Sequence, residues 1–264
     1  MSHNLLTNVA NGLTWFIMNS TYNIETNQVN MNLPSRFPFK KPEEPPPGLE
    51  SRAGELRASI EKIPAETLAS RARVSYLEIG PGRGEFHFNL FDQPVIGAFP
   101  NLTFFTPTGN KLPDFQQALL LYYFVNADGM PLTGQWVSFA DLPGGRTYNQ
   151  AFQGYSGDEV VRQFTKLPHS VALETFKSAC LALGGQPLEI GSASFTFQAL
   201  PRVPLLITFW LGDEDFPSSC KVLFDSSATH YLPIDGCAIL GSQLTSRLLK
   251  ALRSERSETK SKDG

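Results

Sequence analysis

The sequence predicts an α+β fold: a single domain with a mostly antiparallel sheet and helices packed against it. Three observations carry that expectation. Strand-like segments come in two runs, at 85–106 and 192–225, with helical segments before, between and after them rather than in regular β-α-β alternation. Phe86, Phe88 and Leu90 alternate with His87 and Asn89, and Phe195 and Phe197 alternate with Ser194, Thr196 and Gln198, which is the period of an antiparallel strand with one face buried. A hydrophobic share of 41% against 18% charged, in 264 residues, is enough to bury a sizeable core.

In chain order, residues 1–48 read as a disordered N-terminal segment and a Pro-rich linker. The start is Asn-rich and nearly uncharged, with no useful period, and "FPFKKPEEPPPG" is stiffened toward polyproline II. The domain is expected over 49–252. Two short helices fill 49–72, with Ser51 capping the first and Pro64 opening the second, where a missing N–H does least harm. Extended pieces at 85–91 and 94–106, broken by Gly97 and Pro100, form a meander. Asp114 is placed to cap "FQQALLLYYFVNA", whose lack of charge predicts a central, largely buried helix closed by the turn Asp128-Gly129. "GQWVSFADLPGG" gives a short strand and a turn. Helices follow in "SGDEVVRQF" and "PHSVALETFKSACLALGG", the second ended by a Gly pair suited to a left-handed cap. "SASFTFQA" and "VPLLITFWL" make a hairpin whose second strand, apolar on both faces, is central, and "CKVLFD" adds another strand. Asp235 caps a final helix with Leu240, Leu244 and Leu248 on one face, and 253–264 is a charged flexible tail.

Composition excludes several functions. A net charge of −3 gives no field to draw the chain onto nucleic acid or anionic lipid. Cys180, Cys220 and Cys237 are few and widely spaced, so no disulfide framework, iron–sulfur cluster or closed zinc site is expected, and a reducing cytoplasm is. The apolar run from Ala118 to Val125 is far too short for a bilayer. No metal-ligand signature and no cofactor can be read from the spacing of the four histidines or the carboxylates.

"YLEIGPGRGEF" (76–86) has the look of the nucleotide-contacting loop of an S-adenosylmethionine methyltransferase. That site needs a helix after the glycines and an acidic residue roughly twenty positions on. Here Gly84 leads into period-2 alternation, and the downstream positions read "NLTFFTP" without a carboxylate. A turn between two strands, with Gly82 and Gly84 free to take positive φ, accounts for the motif. The methyltransferase reading is therefore set aside.

Two other stretches could hold chemistry. "WLGDEDFP" puts Trp210 at the end of the most apolar strand, with Asp213, Glu214 and Asp215 in the following turn and Asp225 ending the next strand; oxygen ligands converging there would suit a divalent cation, and a solvated acidic turn is the plainer reading. "LPGGRTY" places Gly144 and Gly145 beside Arg146 and Tyr148, a combination able to offer N–H groups and a guanidinium to an anion, or simply a tight turn.

"TGQWVSFADLPGG" (133–145) and "LPRVPLLITFWLGDEDFPSSCKVLFDSSATHYLP" (200–233) resemble the prokaryotic family catalogued as domain of unknown function 3786, over roughly residues 60–252. The family pattern falls on Trp136, Gly144, Gly145, Trp210, Gly212, Asp213, Glu214, Phe216, Pro217 and Asp225. Some members carry a four-cysteine iron–sulfur module similar to that of corrinoid proteins, and this chain, with three scattered cysteines, departs from them. The resemblance implies no reaction. It leaves three readings: a protein binding a small molecule or partner where the 136–148 turn meets the 210–225 strand ends, with Trp136, Gly144, Gly145, Arg146, Tyr148, Trp210, Asp213, Glu214 and Asp225 as its residues; a divalent-metal enzyme using Asp213, Glu214 and Asp225; or a structural subunit of a larger complex.

Overall fold

A computed structural model describes residues 49–262 apart from Thr165; the N-terminal segment and Pro-rich linker expected over 1–48 lie outside the described residues. The fold is α+β, and its antiparallel strands divide into two sheets rather than one. Helices α1 (Leu49–Ile60) and α2 (Ala65–Ala72) lead into a four-stranded meander of β1 (Ser75–Gly80), β2 (Arg83–Leu90), β3 (Gln93–Phe99) and β4 (Thr103–Phe105). Helix α3 (Asp114–Asn126) follows, then β5 (Trp136–Ser138), a 3-10 turn at Phe139–Asp141, and three helices, α4 (Gly145–Tyr155), α5 (Gly157–Phe164) and α6 (His169–Ala182). The chain returns through β6 (Gln186–Leu188), β7 (Ala193–Leu200), β8 (Val203–Trp210) and β9 (Ser219–Asp225), and ends in α7 (Ile234–Lys262). The second sheet runs β5-β9-β8-β7-β6, with the doubly apolar β8 central as its sequence requires.

The first sheet forms because its period-2 residues have somewhere to go. Phe86, Phe88 and Leu90 are buried, and Phe86, Phe88 and Phe104 gather around Phe124 of α3 with ring centroids 5.0–5.7 Å from it. The glycine loop is a hairpin turn, as expected, but its two glycines serve differently. Gly82 takes φ +66°, whereas Gly84 lies beneath the Tyr76 ring, where a Cβ would stand 2.3 Å from the hydroxyl.

Helix α3 packs against the first sheet and reaches the second through Tyr123. Every residue from Gln117 to Phe124 is buried. The Gln117 amide accepts from the Phe104 N–H (2.9 Å) and donates to the Phe104 carbonyl (2.6 Å), so a side chain occupies the outer edge of β4 as a further strand would. Tyr123 donates to the Ala72 carbonyl (2.6 Å), accepts from the Arg202 N–H at the β7–β8 turn (3.1 Å) and stacks on Tyr231. Its burial pushes the phenol pKa upward. Behind the second sheet, Phe152, Phe164 and Phe176, one from each of α4, α5 and α6, meet Phe139, Phe224, Phe209 and Phe195; Phe139 and Phe152 stack at 4.2 Å. Each such ring contributes about 1.5–3 kcal/mol through burial. Leu240, Leu244 and Leu248 of α7 close this layer, buried as their spacing predicts.

Local expectations shift in five places. Ser51 lies inside α1, and Pro64 and Pro113 occupy the cap positions of α2 and α3, with Asp114 as the first helical residue. Asp235 is the second residue of α7, and desolvation raises its carboxyl pKa. The stretch 142–148, read as a tight turn, runs at Gly145 into a helix that continues to Tyr155. The Gly pair after α6 does cap it: the Gly184 N–H bonds Leu181 O and the Gly185 N–H bonds Cys180 O, both at 2.9 Å.

Tyr123→Phe removes a donor and an acceptor from a buried site while keeping the ring. It should lower unfolding free energy by about 1–3 kcal/mol in urea titrations, and a change under a few tenths would show that the hydroxyl does not join α3 to its neighbours.

Candidate functional site

Antiparallel pairing decides which of the sequence-predicted residues meet. Trp136 of β5 lies opposite Asp225 at the end of β9, while Trp210, at the end of β8, lies opposite Ser219 at the beginning of β9. Six residues separate the two positions, about 20 Å of extended chain. Trp136 and Asp225 are thus together, and Trp210, Asp213 and Glu214 stand at the other end of the strand. Two neighbouring antiparallel strands finish at opposite edges of a sheet, so the convergence expected of Asp213, Glu214 and Asp225 is not possible. Among the described residues no group of three or more His, Cys, Asp or Glu side chains is placed to hold a metal ion.

Asp225 is buried and accepts five hydrogen bonds. Its Oδ1 accepts from the Thr133 N–H (3.1 Å), Thr133 Oγ1 (3.0 Å), the Ser227 N–H (3.0 Å) and Ser227 Oγ (2.6 Å), and its Oδ2 accepts from the Gly134 N–H (2.8 Å). Burial alone would raise its pKa, but the bonds from Ser227, Thr133 and Gly134 prevail and hold it below the ordinary carboxylate range. Both oxygens are thus engaged by the surrounding chain. The carboxylate is a clasp that fixes the chain entering β5. Around it, Asp128 holds His230 Nδ1 (2.6 Å) and Tyr231 donates to the Met130 carbonyl, so residues 128–134 are tied down without secondary structure.

Asp213 shapes its own loop, accepting from the Asp215 and Phe216 N–H groups (3.0 and 2.8 Å); Glu214 and Asp215 are exposed. Trp210 is half exposed and lies against Gly191, where a Cβ would come within 2.9 Å of the indole. Gly144 takes φ +80° at the N-cap of α4, and Gly145 is pressed so closely on the Phe139 carbonyl that a Cβ would stand 1.7 Å away. The glycines therefore start a helix against the 3-10 turn. Arg146 is exposed, and Tyr148 packs on the core. Ser138 Oγ donates to Asp141 Oδ2 (2.6 Å), a bond that, with the nearby Arg146, lowers the Asp141 pKa.

A cleft of about 560 Å³ lies between these parts. Ser138 ends β5 at one side; Asn149 and Gln153 of α4 and Asp158, Val161 and Arg162 of α5 form walls; Ser218, Ser219, Cys220 and Lys221 form the floor. Asn149 Oδ1 is itself buried and has no hydrogen-bond partner among the described residues. Arg162 pairs with Glu159 on its own helix. None of these ten residues was named as a site residue in the sequence, although the cleft sits between the two stretches that were. Asn149 and Gln153 belong to the unpredicted helix α4, and Asp158 and Arg162 look like any solvated i,i+4 pair. A second cavity, about 520 Å³, is lined mainly by Pro94, Pro107, Pro201, Phe88 and Val95, with His87 beside Glu85 (3.0 Å) at its rim.

All three cysteines are free and buried, and burial raises their thiol pKa values, so none is a ready nucleophile. No helix among the described residues is long and apolar enough to cross a membrane. The family described as "Domain of unknown function (DUF3786)" matches over residues 65–247. No curated protein and no solved structure matches the chain.

The folded-state pKa of Asp225 lies below its unfolded value of about 3.9, so the clasp stabilises fully above that pH and is lost as pH falls through the folded pKa. Asp225→Ala should cost about 2–4 kcal/mol at neutral pH. In urea titrations the gap between parent and variant should narrow steadily below about pH 4; a gap independent of pH would refute the clasp's ionic character.

Proposed function

The chain belongs to the DUF3786 family, and we propose that it is a binding protein whose site is the polar cleft between α4, α5 and the start of β9. The observation that carries this is the cleft itself, about 560 Å³ and lined by the polar side chains of Ser138, Asn149, Gln153, Ser219 and Lys221. The cleft's volume falls within the range of roughly 300–1,000 Å³ that ligand sites occupy. Its residues Ser138, Asn149, Ser219 and Lys221 come from the same two regions whose meeting the sequence suggests, the turn after β5 and the segment leading into β9. We place the protein in the cytoplasm, with a small molecule or another protein as its partner rather than nucleic acid; three free thiols and a net charge of −3 support this. The carboxylates once suited to a metal now have other roles: Asp225 is a clasp and Asp213 a loop cap.

The reading is tested by titrating the isotope-labelled full chain with a library of small polar fragments and short peptides. Chemical-shift changes should centre on Ser138, Asn149, Gln153, Ser219 and Lys221. Ser219→Trp, which fills the cleft from an incompletely buried position, should weaken those hits at least about tenfold. Changes that avoid the cleft, or that survive in Ser219→Trp, would overturn the assignment.

A further inference from the structure

Four large apolar side chains reach solvent at one end of the second sheet. β6 ends there at Leu188, β7 starts at Ala193, β8 ends at Trp210 and β9 starts at Ser219. Phe216 is 71% exposed and Trp210 49%, with Leu188 and Ile190 at 39% each. The two loops that carry them are joined. The Ser192 N–H donates to the Phe209 carbonyl (3.1 Å), and the Leu211 N–H donates to Ser192 Oγ (3.0 Å). The Trp210 indole lies against Gly191, which has no side chain to lift it off the loop. Phe216 is displayed rather than folded inward because its own loop is closed on itself. The Gly212 N–H donates to Ser218 Oγ (2.8 Å), the Asp213 N–H donates to the Phe216 carbonyl (2.9 Å), and a Cβ on Gly212 would stand 2.6 Å from the Ser218 nitrogen. Loops held in this way present their apolar groups in place before anything binds.

Single exposed apolar side chains are ordinary, but a group of four on two joined loops marks an interaction surface. Its surroundings say what it meets. Glu189 lies between Leu188 and Ile190, and Asp213, Glu214 and Asp215 lead into Phe216. All four acids are exposed, and among the described residues none is in an ion pair. Against them stands Lys221 of β9, opposite Thr208. Such a field repels phosphate and anionic lipid and attracts Lys and Arg. Neither cavity described above is lined by Trp210 or Phe216, so the surface suits a protein rather than a small molecule. We propose that this end of the sheet docks a partner protein through a segment in which Arg or Lys residues flank an apolar side chain. The apolar side chain covers Leu188 and Ile190, an Arg stacks on the open part of the Trp210 ring, and further cations meet Glu189, Glu214 and Asp215. The surface adjoins the cleft at Ser218 and Ser219 but does not depend on the cleft having a ligand.

Selection of short random peptides displayed against the full chain tests this directly. Selected peptides should combine Arg or Lys with an apolar residue. A synthesised copy should shift the Trp210 indole N–H resonance and bind more weakly as salt rises. Trp210→Ala should weaken that binding at least about tenfold. Glu189→Lys, Glu214→Lys and Asp215→Lys together should turn the selection toward acidic peptides. Peptides without cations, equal binding to the charge-reversed variant, or no selected peptide at all would overturn the proposal. A dimer of the free chain that Trp210→Ala abolishes would also overturn it, by making a second copy the occupant. Binding to phosphatidylcholine vesicles that is lost in Trp210→Ala would do the same, by making the occupant a lipid surface. Fragment shifts at Ser138 and Asn149 report on the cleft separately, so the two assignments fail independently.

Discussion

The carboxylate of Asp225 determines where the second sheet stops. Five donors converge on it from Thr133, Gly134 and Ser227, and together they fix the position at which the chain enters β5. Once that entry is set, the three residues of β5 can reach back along β9 only as far as Leu223. The 3-10 turn and α4 must then begin where they do, with Gly145 against the Phe139 carbonyl. The remaining length of β9 is left beside the helices instead of a strand. One buried acid thus governs the register of an edge strand, the start of a helix and the existence of a cleft that it does not itself line.

Much of the fold was legible because it rests on local pattern. Alternation at 85–90 reflects one buried and one more exposed face, that at 193–198 holds at Phe195, Phe197 and Gln198 although Ser194 is buried too, and the uncharged run before Asn126 could only be a helix with neighbours all round. Gly184 and Gly185 stop α6 by a geometry that belongs to the backbone. What stayed hidden depends on distant partners. Gly-Gly-Arg-Thr-Tyr-Asn is a poor helix former, and α4 exists because Phe152 is locked between Phe139 and Phe224. Gln-Pro-Leu is too short to announce β6 and is held by β7 alone.

The site was legible by region but not by residue. The prominent acids drew attention because carboxylates are chemically loud, yet Asp213 and Asp225 each spend their oxygens on their own backbone surroundings. Their separation follows from a property already implied by the hairpin reading: a strand and its antiparallel neighbour end on opposite sides. The groups that line the cleft are mostly amides, hydroxyls and ordinary charged side chains, types that occur everywhere on protein surfaces. Only the missing partner of Asn149 distinguishes them, and a missing partner has no sequence signature.

Gln117 has a consequence for colloidal behaviour. By bonding both main-chain groups of Phe104, its amide terminates the meander at β4 with a side chain that cannot be extended. An edge sealed this way offers no template on which identical chains could stack into fibrils, even in concentrated solution. The seal comes from the central helix together with the chain leading into it, whose Leu112 N–H also donates to the Phe104 carbonyl (3.0 Å), so it lasts as long as the core does: that flank resists self-association while the protein is folded and loses its protection at the moment of unfolding.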